Sequence, residues 1–107
     1  MTKILFDLDG TITKQETLPI IAHAFSMQNN ILSLTQDTVE EVVTYYKNKN
    51  HRVIYIGDGN NDVEAMRLAD VSIASWLTHQ PSLGVIMTSD YLVTSEVSLC
   101  RLLNQLL

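Results

Sequence analysis

The chain has 107 residues and is acidic, with 12 Asp and Glu against 7 Lys and Arg and a net charge of −5. That length suits one domain, residues 1–107, with a single modest core, and no run of Lys or Arg suggests a protein that tracks nucleic-acid backbones. No apolar segment approaches the ~20 residues of a membrane span and no charged leader precedes an apolar run, so no membrane contact and a soluble, cytoplasmic chain are expected.

Lys3 to Phe6 is a short apolar run that stops at Asp7, which suits a buried parallel strand. After Gly10 and a Thr-rich turn, Thr17 can cap a helix with Pro19 in its first turn and Leu18, Ile21, Ala22 and Phe25 on one face. Gln28 to Gln36 reads either as a short strand or as another helical turn. From Thr38 and Glu41, at capping-box spacing, Val39, Val42, Val43 and Tyr46 predict a helix to about Lys49. Arg52 to Ile56 is a β-branched and aromatic run, hence a second strand. Asn60 or Asn61 is expected to cap a short helix through Ala69, followed by strands at Val71–Ala74 and Tyr91–Val93 with a long loop, Ser75 to Ser89, between them. Ser95 caps a last helix in which Leu99, Leu102, Leu103 and Leu106 share a face. Cys100, the lone cysteine, falls in that stripe as a small hydrophobe and fits a reducing compartment, and Trp76 is expected to anchor the long loop by packing. Alternation of strand and helix predicts a small α/β, Rossmann-like three-layer domain with a mostly parallel sheet.

Two of these strands run directly into acidic, glycine-containing turns: Asp7-Leu8-Asp9-Gly10-Thr11, and Gly57-Asp58-Gly59-Asn60-Asn61-Asp62. In an open α/β sheet the ligand crevice lies beyond the carboxyl ends of the strands, so the two turns converge there. Asp7 and Asp9, two apart on an extended chain, leave the same face. Four carboxylates brought together repel one another, and Mg²⁺ with a phosphate suits that set, with Gly10 and Gly59 allowing a bulky anion close to the backbone.

Phe6-Asp7-Leu8-Asp9-Gly10-Thr11 resembles the first motif of the haloacid-dehalogenase-like phosphatases, and Gly57-Asp58-Gly59-Asn60-Asn61-Asp62 resembles their fourth. Ala69-Asp70-Val71-Ser72-Ile73-Ala74 resembles the next strand in the phosphoserine-phosphatase-like branch. The resemblance implies Asp7 as the nucleophile that forms an aspartyl-phosphate and Asp9 as general acid and base. It implies Mg²⁺ held by Asp7, Asp9 through its carbonyl, Asp58, and Asp62 directly or through water. Gly10, Thr11, Glu16 and Asn61 are expected to line the substrate, a small phosphorylated metabolite.

The chain departs from that family in its middle. Relatives carry a Ser or Thr at the end of a second strand and a Lys at the start of the helix entering the fourth motif, yet 43 residues separate Asp9 from Val53. This is expected to be too few for a helical cap plus a complete strand-helix-strand passage, and residues 17–38 read as a cap remnant. Lys47 lies about 14 Å along the helix from its start and at the wrong end for the site. Lys14 reads as an exposed loop residue, Ser33, Thr35 and Thr38 as polar or capping residues, and His23, His51 and His79 carry no assigned chemistry. A shortened chain exposes apolar surface, so a homodimer is considered. Three functions follow: a weak phosphomonoester hydrolase, a catalytically silent module that keeps the cation and phosphate pocket, or a phosphoacceptor domain modified on Asp7 by small phosphodonors.

Overall fold

The computed structural model describes residues 2–7, 31–34, 39–77 and 79–106. Its elements are β1 (Thr2–Asp7), β2 (Ile31–Leu34), α1 (Val39–Asn48), β3 (Arg52–Gly57), a 3₁₀ turn (Asn60–Asp62), α2 (Val63–Leu68), β4 (Val71–Ser75), α3 (Leu83–Thr88), β5 (Tyr91–Val93) and α4 (Glu96–Leu106). The strands form one sheet in the order β2-β1-β3-β4-β5, every pair parallel. The expected α/β layering is therefore present. Chain order reverses between β1 and β3, which is the switch point where such sheets bind ligands.

The period-2 alternation of strands divides the core into two halves. Val53, Tyr55 and Ala74 face one side with Val43 of α1, Ala65 and Met66 of α2, and Val85 of α3. Ile54, Ile56, Val71, Ile73 and Val93 face the other, covered by Leu99 and Leu103 of α4. The expected stripe of α4 is present: Leu99 and Leu103 are fully buried, while Leu102, Leu106 and Cys100 pack at its margin. Burial, with Glu96 nearby, pushes the Cys100 thiol above its usual range. Ser95 caps this helix through a 3.0 Å hydrogen bond from the Ser98 N–H.

α1 ends as its sequence demands. Asn50 takes the left-handed conformation (φ 64°), and the His51 and Asn50 N–H groups donate back to the carbonyls of Tyr46 and Lys47 at 3.0 Å each. This is a Schellman closure with asparagine in the place glycine usually takes. Lys47 donates its Nζ to the Leu68 carbonyl at the close of α2 (2.7 Å), so it does lie at the end of the sheet away from the acidic turns.

Two aspartates tie strand starts together. Asp70, before β4, accepts the Val53 N–H at 2.7 Å and donates its own N–H to the Val53 carbonyl at 2.9 Å. Asp90, before β5, does the same with Ser72, at 2.9 and 2.8 Å. Each carboxylate supplies one more rung to a parallel ladder at the point where the backbone alone runs out.

Several expectations need correction. Of the two readings of segment 28–36 the strand, β2, is the one present, and β2-α1-β3 makes a strand-helix-strand passage; the expectation that the chain has no room for a helical cap besides falls on residues 8–30, outside the described residues. The supposed loop 75–89 contains α3, capped by Ser82, whose Oγ accepts from the Val85 N–H at 3.3 Å. Six residues are too few to show helical periodicity, and the glycine inside it, Gly84, lowers helix propensity. Gly84 is there for contact: a Cβ would stand 3.2 Å from Val63 Cγ2 and 3.3 Å from Asn60 Oδ1. Trp76 is 42% exposed, and Leu77 is the loop residue that packs on the core. Within the 17–38 segment expected as a cap remnant, residues 31–34 are β2 of the sheet, while the proposed helix from Thr17, the rest of that segment, the Thr38 cap, Lys14 and His23 lie outside the described residues.

Because Leu103 is fully buried between α4 and the sheet, Leu103→Ala is expected to lower the unfolding free energy by ~2–5 kcal/mol in urea titrations. A loss below about 1 kcal/mol would mean that α4 does not cover that face.

Candidate functional site

The carboxyl end of β3 is built around a carboxylate folded back on its own turn. Asp62 is fully buried, and its Oδ2 accepts the Asp58 and Gly59 N–H groups at 3.1 Å each. Its Oδ1 accepts the Tyr55 hydroxyl at 2.7 Å. Three donors satisfy the charge that burial would otherwise penalise. The Asp62 N–H in turn donates to the Gly59 carbonyl at 2.9 Å, which closes the 3₁₀ turn. Neither asparagine caps this segment, contrary to expectation; Asn60 and Asn61 are exposed, and Asp62, which stands at the N-cap of α2, turns its carboxylate back to the Asp58 and Gly59 N–H groups instead of capping that helix.

Gly57 exists for the same reason. A Cβ there would lie 2.7 Å from Asp62 Cβ and Cγ and 2.8 Å from Oδ2, closer than packed atoms approach. Gly59 differs, since its φ of −110° is open to any residue and a Cβ would meet chiefly Asn61 Oδ1, the end of an exposed side chain. The glycine that the turn needs is thus the one before Asp58.

Asp58 is held on several sides. Its carboxylate is almost fully buried (4% exposed), its N–H is engaged by Asp62, and its carbonyl accepts the Ser82 N–H at 2.8 Å. His79 Nε2 lies 2.8 Å from Asp58 Oδ2 as an ion-pair contact. No role is expected for His79 from the sequence, because a histidine in a polar loop carries no periodic or motif signal; the bond from the Ser82 N–H to the Asp58 carbonyl holds the following residues against the turn.

Asp7 closes β1, one residue after the Phe6–Ile56 pair, and so stands level with Gly57 on the neighbouring strand. The sheet therefore brings the Asp7 strand end beside the Asp58 turn. Asp9, Gly10, Thr11 and Glu16 lie outside the described residues. Among the described residues, no three His, Cys, Asp or Glu side chains gather as a ready metal cage. His51 lies elsewhere, edge-on to Tyr46 with ring centroids 5.5 Å apart.

Removing the buttress tests it. Tyr55→Phe is expected to cost ~1–3 kcal/mol, since a buried charged acceptor loses a hydroxyl donor, and Gly57→Ala, made separately, ~1–3 kcal/mol through overpacking. Gly59→Ala should stay within about 1 kcal/mol of wild type in the same denaturation series, and equal losses at both glycines would refute the assignment.

No curated protein matches the chain closely enough to count as a relative. A family model described as haloacid dehalogenase-like hydrolase matches residues 18–75, just over half of the chain, taking in β2, α1, β3, the Asp58 turn and β4. With a parallel sheet whose order reverses between β1 and β3 and an aspartate turn at that point, the chain belongs to the haloacid dehalogenase-like hydrolase family.

Proposed function

We propose that this chain is a Mg²⁺-dependent phosphomonoester hydrolase of the phosphoserine-phosphatase-like branch, acting on a small phosphorylated metabolite through an aspartyl-phosphate on Asp7. The observation that supports this reading most is the register of β1 on β3, which sets the Asp7 strand end level with the start of the Asp58 turn at the switch point of the sheet.

The Asp58 carboxylate suits a divalent cation. It is buried at the carboxyl end of a strand, in a turn whose backbone is already held by Asp62 and Ser82, so its charge favours a cationic partner. Asp7, Asp58 and the carbonyl of Asp9 would hold the ion. Asp62, whose two oxygens already accept three hydrogen bonds, serves it by orienting Asp58. When bound, such an ion neutralises charge on the transferring phosphoryl group.

In the reaction, the Asp7 carboxylate forms a bond to phosphorus as the bond to the leaving oxygen breaks, and Asp9 gives that oxygen a proton. Asp9 then takes a proton from the water that hydrolyses the acyl phosphate and returns Asp7 to its starting state. Gly10, Thr11, Glu16 and Asn61 are the proposed substrate contacts. Turnover is slow, because Gln36, Asp37 and Thr38, which precede α1, bring no cation, and Lys47 is engaged at the other end of the sheet. That same observation favours the second reading, a silent module that binds the cation and phosphate.

With Mg²⁺ and an aryl phosphate, Asp9→Asn should lower kcat by about 10²–10⁴-fold and Asp7→Asn should reduce hydrolysis to background. Unchanged activity in Asp7→Asn would sink the mechanism. Thermal stabilisation by Mg²⁺ with no turnover in wild type would select the silent module; Mg²⁺ at 100 times its Kd stabilises by ~2.7 kcal/mol.

A further inference from the structure

We propose that the outer face of α1 binds a second copy of this chain, the two α1 helices lying antiparallel about a two-fold axis at Tyr45. Tyr45 is 56% exposed at mid-helix, about 200° of turn from fully buried Val43. Its ring is held in place. It packs edge-on against Tyr46, with centroids 5.1 Å apart, and Lys49 Nζ lies 5.6 Å from its centroid. Tyr46 in turn packs on the core. An exposed aromatic that is already ordered loses little freedom on binding, and tyrosine is a frequent anchor of protein interfaces. Leu68, 38% exposed at the end of α2, lines a shallow groove with Glu40, Glu41, Thr44, Tyr45 and Asn48.

The charges on this face select the occupant. Glu40 and Glu41 stand in the first turn of α1, and Lys49 lies just past its last residue, where the Lys49 N–H still donates to the Tyr46 carbonyl at 3.1 Å. Glu41 comes four residues before Tyr45 and Lys49 four residues after it, so both share its face. A two-fold axis through Tyr45, perpendicular to α1, sets Glu41 of each copy opposite Lys49 of the other. An isologous contact has this form, in which residue i meets j and j meets i. A purely basic partner would meet Lys49 and a purely acidic one Glu40 and Glu41, whereas a reversed copy of α1 satisfies both ends. The net charge of −5 on each chain is screened beyond about 8 Å at physiological ionic strength, and the Glu41–Lys49 pairs act within that range. Exposed pairs contribute only ~0–1 kcal/mol each, so they set the orientation, and burial of Tyr45 and Leu68 supplies the affinity.

The test is sedimentation velocity of the full chain from about 10 μM to about 1 mM. Wild type should pass from monomer to dimer within that range. Tyr45→Arg, which places like charges on the axis, should raise the dimer Kd about 10-fold or more. Glu41→Lys alone and Lys49→Glu alone should each do the same. An equal mixture of those two variants should form a heterodimer with a Kd within about 3-fold of wild type, because each then presents the charge that the other lacks. Recovery on mixing also shows that neither substitution has damaged the fold. A wild-type chain that stays monomeric to about 1 mM, a dimer indifferent to Tyr45→Arg, or single variants that do not recover on mixing overturns the inference.

Discussion

The site depends on one buried carboxylate. Asp62 is shut away from water and satisfied by two backbone N–H groups and a phenol, all from the strand end and turn immediately before it. Leaving any of those donors unmatched would expose a desolvated charge, so the turn has little freedom to adopt another shape. Gly57 has no side chain because Asp62 fills that space, Tyr55 is a tyrosine on an otherwise apolar face because Asp62 needs its hydroxyl, and Asp58 is aimed by its own N–H. A motif that looks like a row of cation-binding carboxylates thus contains two kinds of acid. One is turned inward to set the backbone, and the other meets the His79 imidazole.

Much of this was legible before the fold was known, and the reason differs by element. α1 and α4 are long enough to repeat an apolar stripe, β3 is a short apolar run ending at a glycine and an aspartate, and β4 is a short, mostly apolar run that follows Asp70, so their existence follows from spacing and composition. β2 and α3 escaped because four and six residues carry no usable period, and α3 is decided by contact with the Asp58 turn. The acidic turns were legible as a pair, since each follows a short apolar run. The division of roles within the second turn was not, because Asp58 and Asp62 are chemically identical in the sequence and differ only in what surrounds them. His79 was illegible for the opposite reason: nothing in Thr78-His79-Gln80 marks it, and only the pinned loop gives it a neighbour.

The described part of the chain also separates charge from shape. Lys47 and Arg52 spend their side chains on carbonyls, of Leu68 and Leu106 respectively, at the sheet end remote from Asp58. Lys47 ties α1 to the end of α2 and Arg52 ties β3 to the end of α4, where cations complement the partial negative charge of exposed carbonyls. In contact with Asp58 stands a basic group of a different kind, the His79 imidazole.

The aspartates at the strand starts have a consequence for the opposite edge. Asp70 clasps Val53 and Asp90 clasps Ser72, each through a reciprocal pair of bonds, so β3, β4 and β5 are staggered by fixed offsets at their amino ends. A parallel strand is a stiff rod with no hairpin to set its alignment; anchoring one tip fixes how far the other protrudes. The clasps act as a tailstock: they set, from five residues away, the height at which the Asp58 turn and the His79 loop meet.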